Sequence, residues 1–390
     1  MPRTPEPPIE ASQLHRWQLL KEFNRHLIRA FGSAPLHSSW QDPQRLLAAT
    51  DYTSLFLLGI FNPIITSMRG LCRASALEKV QREVCRRKVS LGSFSEAQRL
   101  LDPELLRHVY EGLSAELARR RRPAASQGAL PPMQIVDSTL WHALPRMHWA
   151  VWRKQHVTQR ALRLHVKFQL ADALPAQMSV TPGNVCERKE WEAMAQPGEF
   201  HVGDRYYGED YQALDRLMQR GCSFIVRLRS DARWVVEDEL PIDEAARQAN
   251  VLWQAWVRLG KTGHGTRVRV VRILGQEEQL FLATNLTETE MSAELASHCY
   301  RQRWQVELFF RWLKHLMGSR HWMAQSRNGV TVQIYLTMIA AQLLQLFSGE
   351  RPNKHTLELL QFMSIGWASP EEVVALLKEQ ANRKSKKQAA

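Results

Sequence analysis

Residues 300–317 read YRQRWQVELFFRWLKHLM, a helix-like run in which one acid stands among cations. At about 100° per residue, Tyr300, Arg303, Glu307, Arg311 and Lys314 fall within roughly 80° of arc. Val306, Phe309, Phe310, Leu313, Leu316 and Met317 share the neighbouring arc, which predicts a helix with one buried apolar stripe and one polar stripe beside it. The polar stripe has two readings. Glu307 is either an exposed carboxylate paired with Arg303 or Arg311 one turn away, or one member of a site whose other acids lie elsewhere in the chain.

Two upstream segments supply candidates for those acids. Residues 133–139, MQIVDST, form an apolar strand-like run ending in Asp137, preceded by the breakers Pro131 and Pro132. Residues 200–204, FHVGD, repeat the pattern, and a helix-like run through Tyr211, Leu214, Leu217 and Met218 follows. Cys222–Leu228 reads as a further strand. Each acid also has an ordinary reading, Asp137 as a turn cap and Asp204 as the N-cap of the following helix.

The spacing Tyr300-x2-Arg303-x3-Glu307-x6-Lys314 resembles the Y-R-E-K signature of bacterial insertion-sequence DDE transposases of the insertion-sequence-four-like kind. The resemblance covers about Gln134 to Arg320. It implies an α/β fold: an RNase H-like mixed-sheet core in which Asp137, Asp204 and Glu307 converge, interrupted by a β-rich insertion, with an α-helical N-terminal DNA-binding domain. One position departs from the pattern. The family follows its second Asp with Arg-Gly-aromatic, whereas this chain has Asp204-Arg205-Tyr206-Tyr207-Gly208.

Three carboxylates suit phosphodiester chemistry, because two divalent ions about 4 Å apart can activate the nucleophile and stabilise the leaving oxygen. Hard oxygen donors favour Mg²⁺, with Mn²⁺ as a substitute. On the resemblance, Asp137 bridges two ions and Asp204 and Glu307 each complete one. Arg303 and Lys314 hold phosphates of the element end, Tyr300 hydrogen-bonds one, and Arg311 shares their face. Such contacts position DNA without reading its sequence.

Composition agrees. The 390-residue chain carries 52 Lys and Arg against 39 Asp and Glu, a net charge of +13, which favours a polyanionic partner over an acidic protein. Between Arg146 and Lys167 lie six cations and no acid, with Trp149 and Trp152 interleaved and Arg153 and Lys154 at the centre. That mixture suits a nucleic-acid groove, although the tryptophans also read as inward-packing. Arg69 to Lys88 carries seven cations against Glu78 and Glu83. The five cysteines show no C-x2-C pair, so neither zinc site nor disulfide framework is expected, as in a reducing cytoplasm. The Pro-rich residues 1–12 read as a flexible start without a signal peptide. The runs Leu55–Ile65 and Ile334–Phe347 read as core helices too short for a bilayer. No glycine loop for a nucleotide cofactor occurs.

These signals divide the chain into a helical DNA-binding region (13–122), a linker from Arg119 onward, core parts at 131–232 and 287–348, a β-rich insertion (233–286), and a helical C-terminal region (349–390) with a basic tail at 383–387 that either touches DNA or is a disordered end. Ser93-x2-Glu96 and Thr287-x2-Glu290 have the capping-box pattern and are expected to start helices. In the insertion, Trp253–Val257, Thr266–Ile273 and Leu280–Thr284 read as strands. The resembling transposases stack an aromatic of such an insertion on a flipped base, which makes Trp253 and Trp256 candidates; both also read as strand residues packed inward. The expected protein is a cut-and-paste transposase that acts on terminal inverted repeats and target DNA as a homodimer, through a hairpin. The alternatives are a stand-alone nuclease of the same fold and a catalytically silent DNA-binding protein.

Overall fold

The computed structural model describes residues 18–33, 40, 42, 44–120, 132–154, 157–171, 173–261, 265–316, 322–348 and 353–389. The expected flexible start, the linker beyond Arg120 and Met317 lie outside them. The chain forms two compact units, one of residues 1–123 with 311–390 and one of residues 124–310.

The first unit is helical: α1 (Gln18–Ser33), α2 (Ala49–Phe61), α3 (Met68–Ala74), α4 (Glu78–Glu83), α5 (Leu91–Leu100) and α6 (Pro103–Arg120). The Leu55–Ile65 run falls mostly in α2, which ends at Asn62-Pro63, since Pro cannot continue the hydrogen-bond ladder. Helices α5 and α6 are separated at Leu101-Asp102. Pro103 opens α6 at its first position, with Asp102 accepting from the Glu104 amide at 2.9 Å. Ser90, not Ser93, caps α5 by accepting from the Ser93 amide. In the second unit, α7 (Glu187–Met194), α8 (Tyr211–Gln219), α9 (Glu244–Gln248) and α10 (Ala293–Arg301) intervene between or follow strands, and α11 (Trp304–Leu316) leads back to the first. That first unit closes with α12 (Arg327–Ser348), α13 (Lys354–Ser364) and α14 (Pro370–Ala389), the last carrying helical backbone through the basic tail.

Helix α12 is longer than the sequence suggests. Its residues 327–346 are long and apolar enough to cross a bilayer, yet 94% of that stretch is buried within the fold. Gln342 explains part of that packing by donating to the Tyr110 carbonyl at 3.0 Å, and Asn328 ties the helix start to the Leu101 carbonyl at 2.9 Å. It is a core helix.

The second unit is built on one sheet of β1 (Gln134–His142), β2 (Val151–Lys154), β3 (Val157–Gln169), β4 (Leu174–Pro182), β5 (Phe200–Gly203), β6 (Ser223–Arg227), β7 (Trp234–Leu240), β8 (Val251–Leu259), β9 (Arg267–Leu274) and β10 (Gln279–Thr284). Strands β4, β3 and β1 are antiparallel neighbours, and β1, β5 and β6 run parallel. This mixed order is the RNase H-like fold that the resemblance implies. From β6 the sheet continues antiparallel through β10, β9, β8 and β7, so the strands read as an insertion extend the core sheet edge-on.

Alternation along the strands sorts the faces. Val136, Phe224, Val226, Ala255, Val257, Val268 and Val270 pack with Trp191 of α7 and Leu214 and Leu217 of α8. Arg269 and Gln254 point the other way. They bond each other, and reach Met291 and Glu288 ahead of α10. Thr287 and Glu290 form their expected bond at 2.9 Å, but the helix starts one turn later at Ser292.

Gly208 fills a gap no side chain can enter, because a Cβ there would lie 2.2 Å from the Arg227 carbonyl oxygen. Gly208→Ala is expected to cost about 2–4 kcal/mol, measured by urea denaturation, through forced displacement of β6 against the turn after β5.

Candidate active site

Register builds the site. In the parallel ladder Val136 lies beside Gly203, and Gly203 beside Val226. One position further along each strand come Asp137, Asp204 and Arg227, so two acids and a cation form a row across three neighbouring strands. Strand β1 itself runs on to His142 against β3, so Asp137 stands at the end of the parallel ladder rather than at the end of its strand.

Local bonds orient each acid. The Ser138 amide donates to Asp137 Oδ1 at 2.7 Å, and the Tyr206 amide donates to Asp204 Oδ1 at 2.9 Å. Asp204 therefore caps its own turn, while Asp210 is the N-cap of α8, accepting from the Ala213 amide. Burial and then the neighbouring Asp204 push the Asp137 carboxyl up to about 7, because neither favours a second negative charge in that space.

Helix α11 supplies the rest. The expected single run from Tyr300 is interrupted, since α10 ends at Arg301 and α11 starts at Trp304. Across the junction Arg303, Gln305 and Val306 bond three residues back instead of four, a tighter winding that shifts the phase of the polar stripe. Arg303 still reaches Glu307 one turn on, donating to Oε1 at 2.6 Å, and its Nη1 lies 3.6 Å from Asp137 Oδ2. Burial opposes the Arg303 charge, but Tyr300, Glu307 and Asp137 outweigh it and hold its proton above the ordinary arginine range. Tyr300 is buried, which pushes its hydroxyl up, with Arg303, Arg227 and Asp204 close enough to act on it. Val306, Phe309, Phe310, Leu313 and Leu316 are buried as expected.

The second half of α11, β8 and β2 carry the other candidates. Arg311 is exposed and Lys314 half-buried on the part of α11 that belongs to the first unit. Trp253 packs against the core and donates from Nε1 to Glu239 at 3.1 Å, its inward reading. Trp256 lies on the opposite face with the Arg267 guanidinium 4.3 Å from its ring. Strand β8 is four strand spacings from β5, roughly 19 Å. Arg153 is exposed on β2, and the Lys154 side chain lies outside the described atoms. Trp149 and Trp152 are half-buried.

Among the described residues no three of His, Cys, Asp and Glu come together as a metal-holding group. The donor chemistry nonetheless fits a hard cation: Asp137 and Asp204 are register neighbours, and burial and the Asp204 charge raise the Asp137 carboxyl, a cost that a bound cation would offset. Glu307 is engaged by Arg303, which occupies the space between the acids.

Sequence reading missed Arg227, Glu187, Arg163 and Ser138. Arg227 is one-fifth exposed and ion-paired with Glu278 at 2.6 Å. Its place beside the acids follows only from the pairing of β6 with β5, which no local pattern encodes. Ser138, Arg163 and Glu187, which bond one another, likewise show no local signal, because they come from three separate elements.

An RNase H-like sheet with two acids in register at its parallel centre, and a third on a returning helix, defines the DDE-type class of transposase domains. The family model described as Transposase DDE domain matches residues 129–343, more than half of the chain, and the chain belongs to that family. It is 26% identical over 241 residues to a putative transposase of Sinorhizobium fredii, an alignment covering 60% of this chain and 65% of that one. It is also 26% identical to a probable insertion-sequence transposase of Geobacillus stearothermophilus, covering 60% and 61%. The chain thus spans just under two thirds of the length of these relatives. A structure of piggyBac transposase in a synaptic complex with hairpin DNA aligns with 96% of this chain and 80% of that one, at 10% identity and a TM-score of 0.42.

Asp137→Asn is expected to stabilise the protein without divalent ions. Wild-type Asp137 binds its proton more tightly folded than unfolded, so its contribution to stability falls as pH rises from about 4 to 7. The variant's advantage is absent below that window and reaches at most about 4 kcal/mol above it, as urea denaturation at pH 4 and pH 8 will show.

Proposed function

We propose that this chain is a cut-and-paste transposase of the insertion-sequence type, with Asp137, Asp204 and Glu307 as its catalytic and metal-binding acids. The observation that carries the reading is the register of Asp137 beside Asp204, with Glu307 linked to Asp137 through one arginine, in a member of this family. Mg²⁺, or Mn²⁺ in its place, would be held by these three carboxylates and would supply activation of the attacking oxygen and charge stabilisation at the leaving one.

The chain's own groups do the remaining work. Arg303, Tyr300 and Arg227 surround the acid row and bind phosphate oxygens of the element end, with Lys314 and Arg311 extending that contact along α11. When a phosphate replaces Glu307 as the partner of Arg303, the Glu307 carboxylate is released toward the acid pair. Water hydrolyses the phosphodiester at the element end. The freed 3′-hydroxyl then attacks the opposite strand to make a hairpin, and after reopening it joins target DNA. Of the two tryptophans Trp256 is better placed to stack on a flipped base, since Trp253 is engaged with the core and with Glu239.

The helical region 13–122 binds element ends, and Arg153 and Lys154 track the backbone of the same DNA. Residues 131–232 and 287–348 form the catalytic core, 233–286 the insertion, and 349–390 a C-terminal region. Two ends require two active sites, so the working form is a homodimer on DNA, in the cytoplasm of a bacterial host.

The test is incubation of purified protein with the DNA flanking its own gene, in Mg²⁺ or EDTA. Metal-dependent nicking at the element ends with joined products is expected, with Asp137→Ala and Glu307→Ala each reducing it more than about 1,000-fold and Arg227→Ala about 10- to 100-fold. Cleavage without joining would replace this reading by that of a nuclease, and binding without cleavage by that of a silent DNA-binding protein.

A further inference from the structure

Beside Asp137, on the sheet face covered by α7, lies a closed ring of three side chains that the proposed chemistry does not use. Ser138 Oγ donates to Glu187 Oε2 at 2.6 Å and accepts from Arg163 Nη1 at 2.9 Å. Arg163 Nη1 also donates to Glu187 Oε1, so the ring is complete. Glu187 opens α7, Arg163 comes from β3 and Ser138 from β1, and the ion pair is well shielded, with Arg163 20% and Glu187 16% exposed. A shielded pair of this kind is costly to desolvate.

Its connection to the acid row is short. Ser138 is the residue whose amide donates to Asp137 Oδ1. With Oδ1 held by that bond, Oδ2 is the oxygen turned toward Arg303 and so toward the space a cation would take. Fixing the Ser138 side chain fixes the peptide that carries this amide, and with it the rotation of the Asp137 carboxylate. Both oxygens of Glu187 are engaged, one by Ser138 and one by Arg163.

We propose that Glu187, acting with Arg163 through Ser138, is a positioning residue that presents Asp137 Oδ2 to a divalent cation. This rests on the reading of Asp137 as a metal ligand. Partners of metal ligands of this kind typically alter metal affinity or activity about 10- to 100-fold when removed.

The experiment measures Mn²⁺ binding to the full-length protein without DNA, by calorimetry, alongside the Mg²⁺ midpoint for nicking of the flanking DNA. Glu187→Gln keeps the shape and loses the charge that orders the ring; Ser138→Ala removes one hydroxyl and keeps the fold if Glu187→Gln does not. Each is expected to weaken Mn²⁺ binding and raise the Mg²⁺ midpoint about 10-fold, with the double variant no worse than the poorer single one, because all three groups act as one unit. Ser138→Thr, which keeps the hydroxyl, is expected to restore the midpoint. A merely structural ring would lower the melting temperature and leave the metal midpoint of the surviving protein unchanged, and that result would overturn the inference. If wild-type protein neither binds Mn²⁺ nor nicks DNA, the reading of the acid row fails first and the inference falls with it.

Discussion

The parallel pairing of β1 with β5 and β5 with β6 is the constraint on which the site depends. Side chains on neighbouring parallel strands are about 4.8 Å apart, so a register fixed by the apolar residues before them leaves Asp137, Asp204 and Arg227 no choice but to stand in a row. The buried residues Ile135, Val136, Val202, Ile225 and Val226 enforce that register, since a slip by one position would turn their side chains to the wrong faces. The cost of crowding two carboxylates is thereby borne by the core of the sheet. The turn after β5 adds only the Tyr206 amide that orients Asp204.

That crowding shapes the electrostatics around it. Arg303 sits between Asp137 and Glu307, with both acids and its own burial acting on its charge. A guanidinium in that position compensates charge as a cation would, and it can exchange one carboxylate for a phosphate without leaving the group. Lysine would not substitute, because a single ammonium cannot span two carboxylates in the same geometry.

Much of this was legible in the sequence, for identifiable reasons. Short apolar runs ending in an acid gave β1, β5 and the place of Asp137 and Asp204, and the periodicity after Trp304 gave the buried face of α11. What failed were phase and ends. Uniform winding was assumed across Gln302 and Arg303, where the backbone tightens, and the capping boxes at Ser93 and Thr287 were displaced because Ser90 and Ser292 were better placed to accept from the first helical turn. Arg227 emerged only once β5 and β6 were paired. The ring of Ser138, Arg163 and Glu187 joins positions 25 and 24 residues apart, a relation that no local pattern encodes.

The most direct test of the acid row is the anomalous scattering of Mn²⁺ in crystals of the protein bound to a cleaved element end. A peak between Asp137 Oδ2 and Asp204, with Glu307 turned away from Arg303 and Arg303 on a phosphate, is the predicted result. Manganese bound elsewhere, with the Arg303–Glu307 pair unchanged and Asp137 still facing Arg303, would contradict the account.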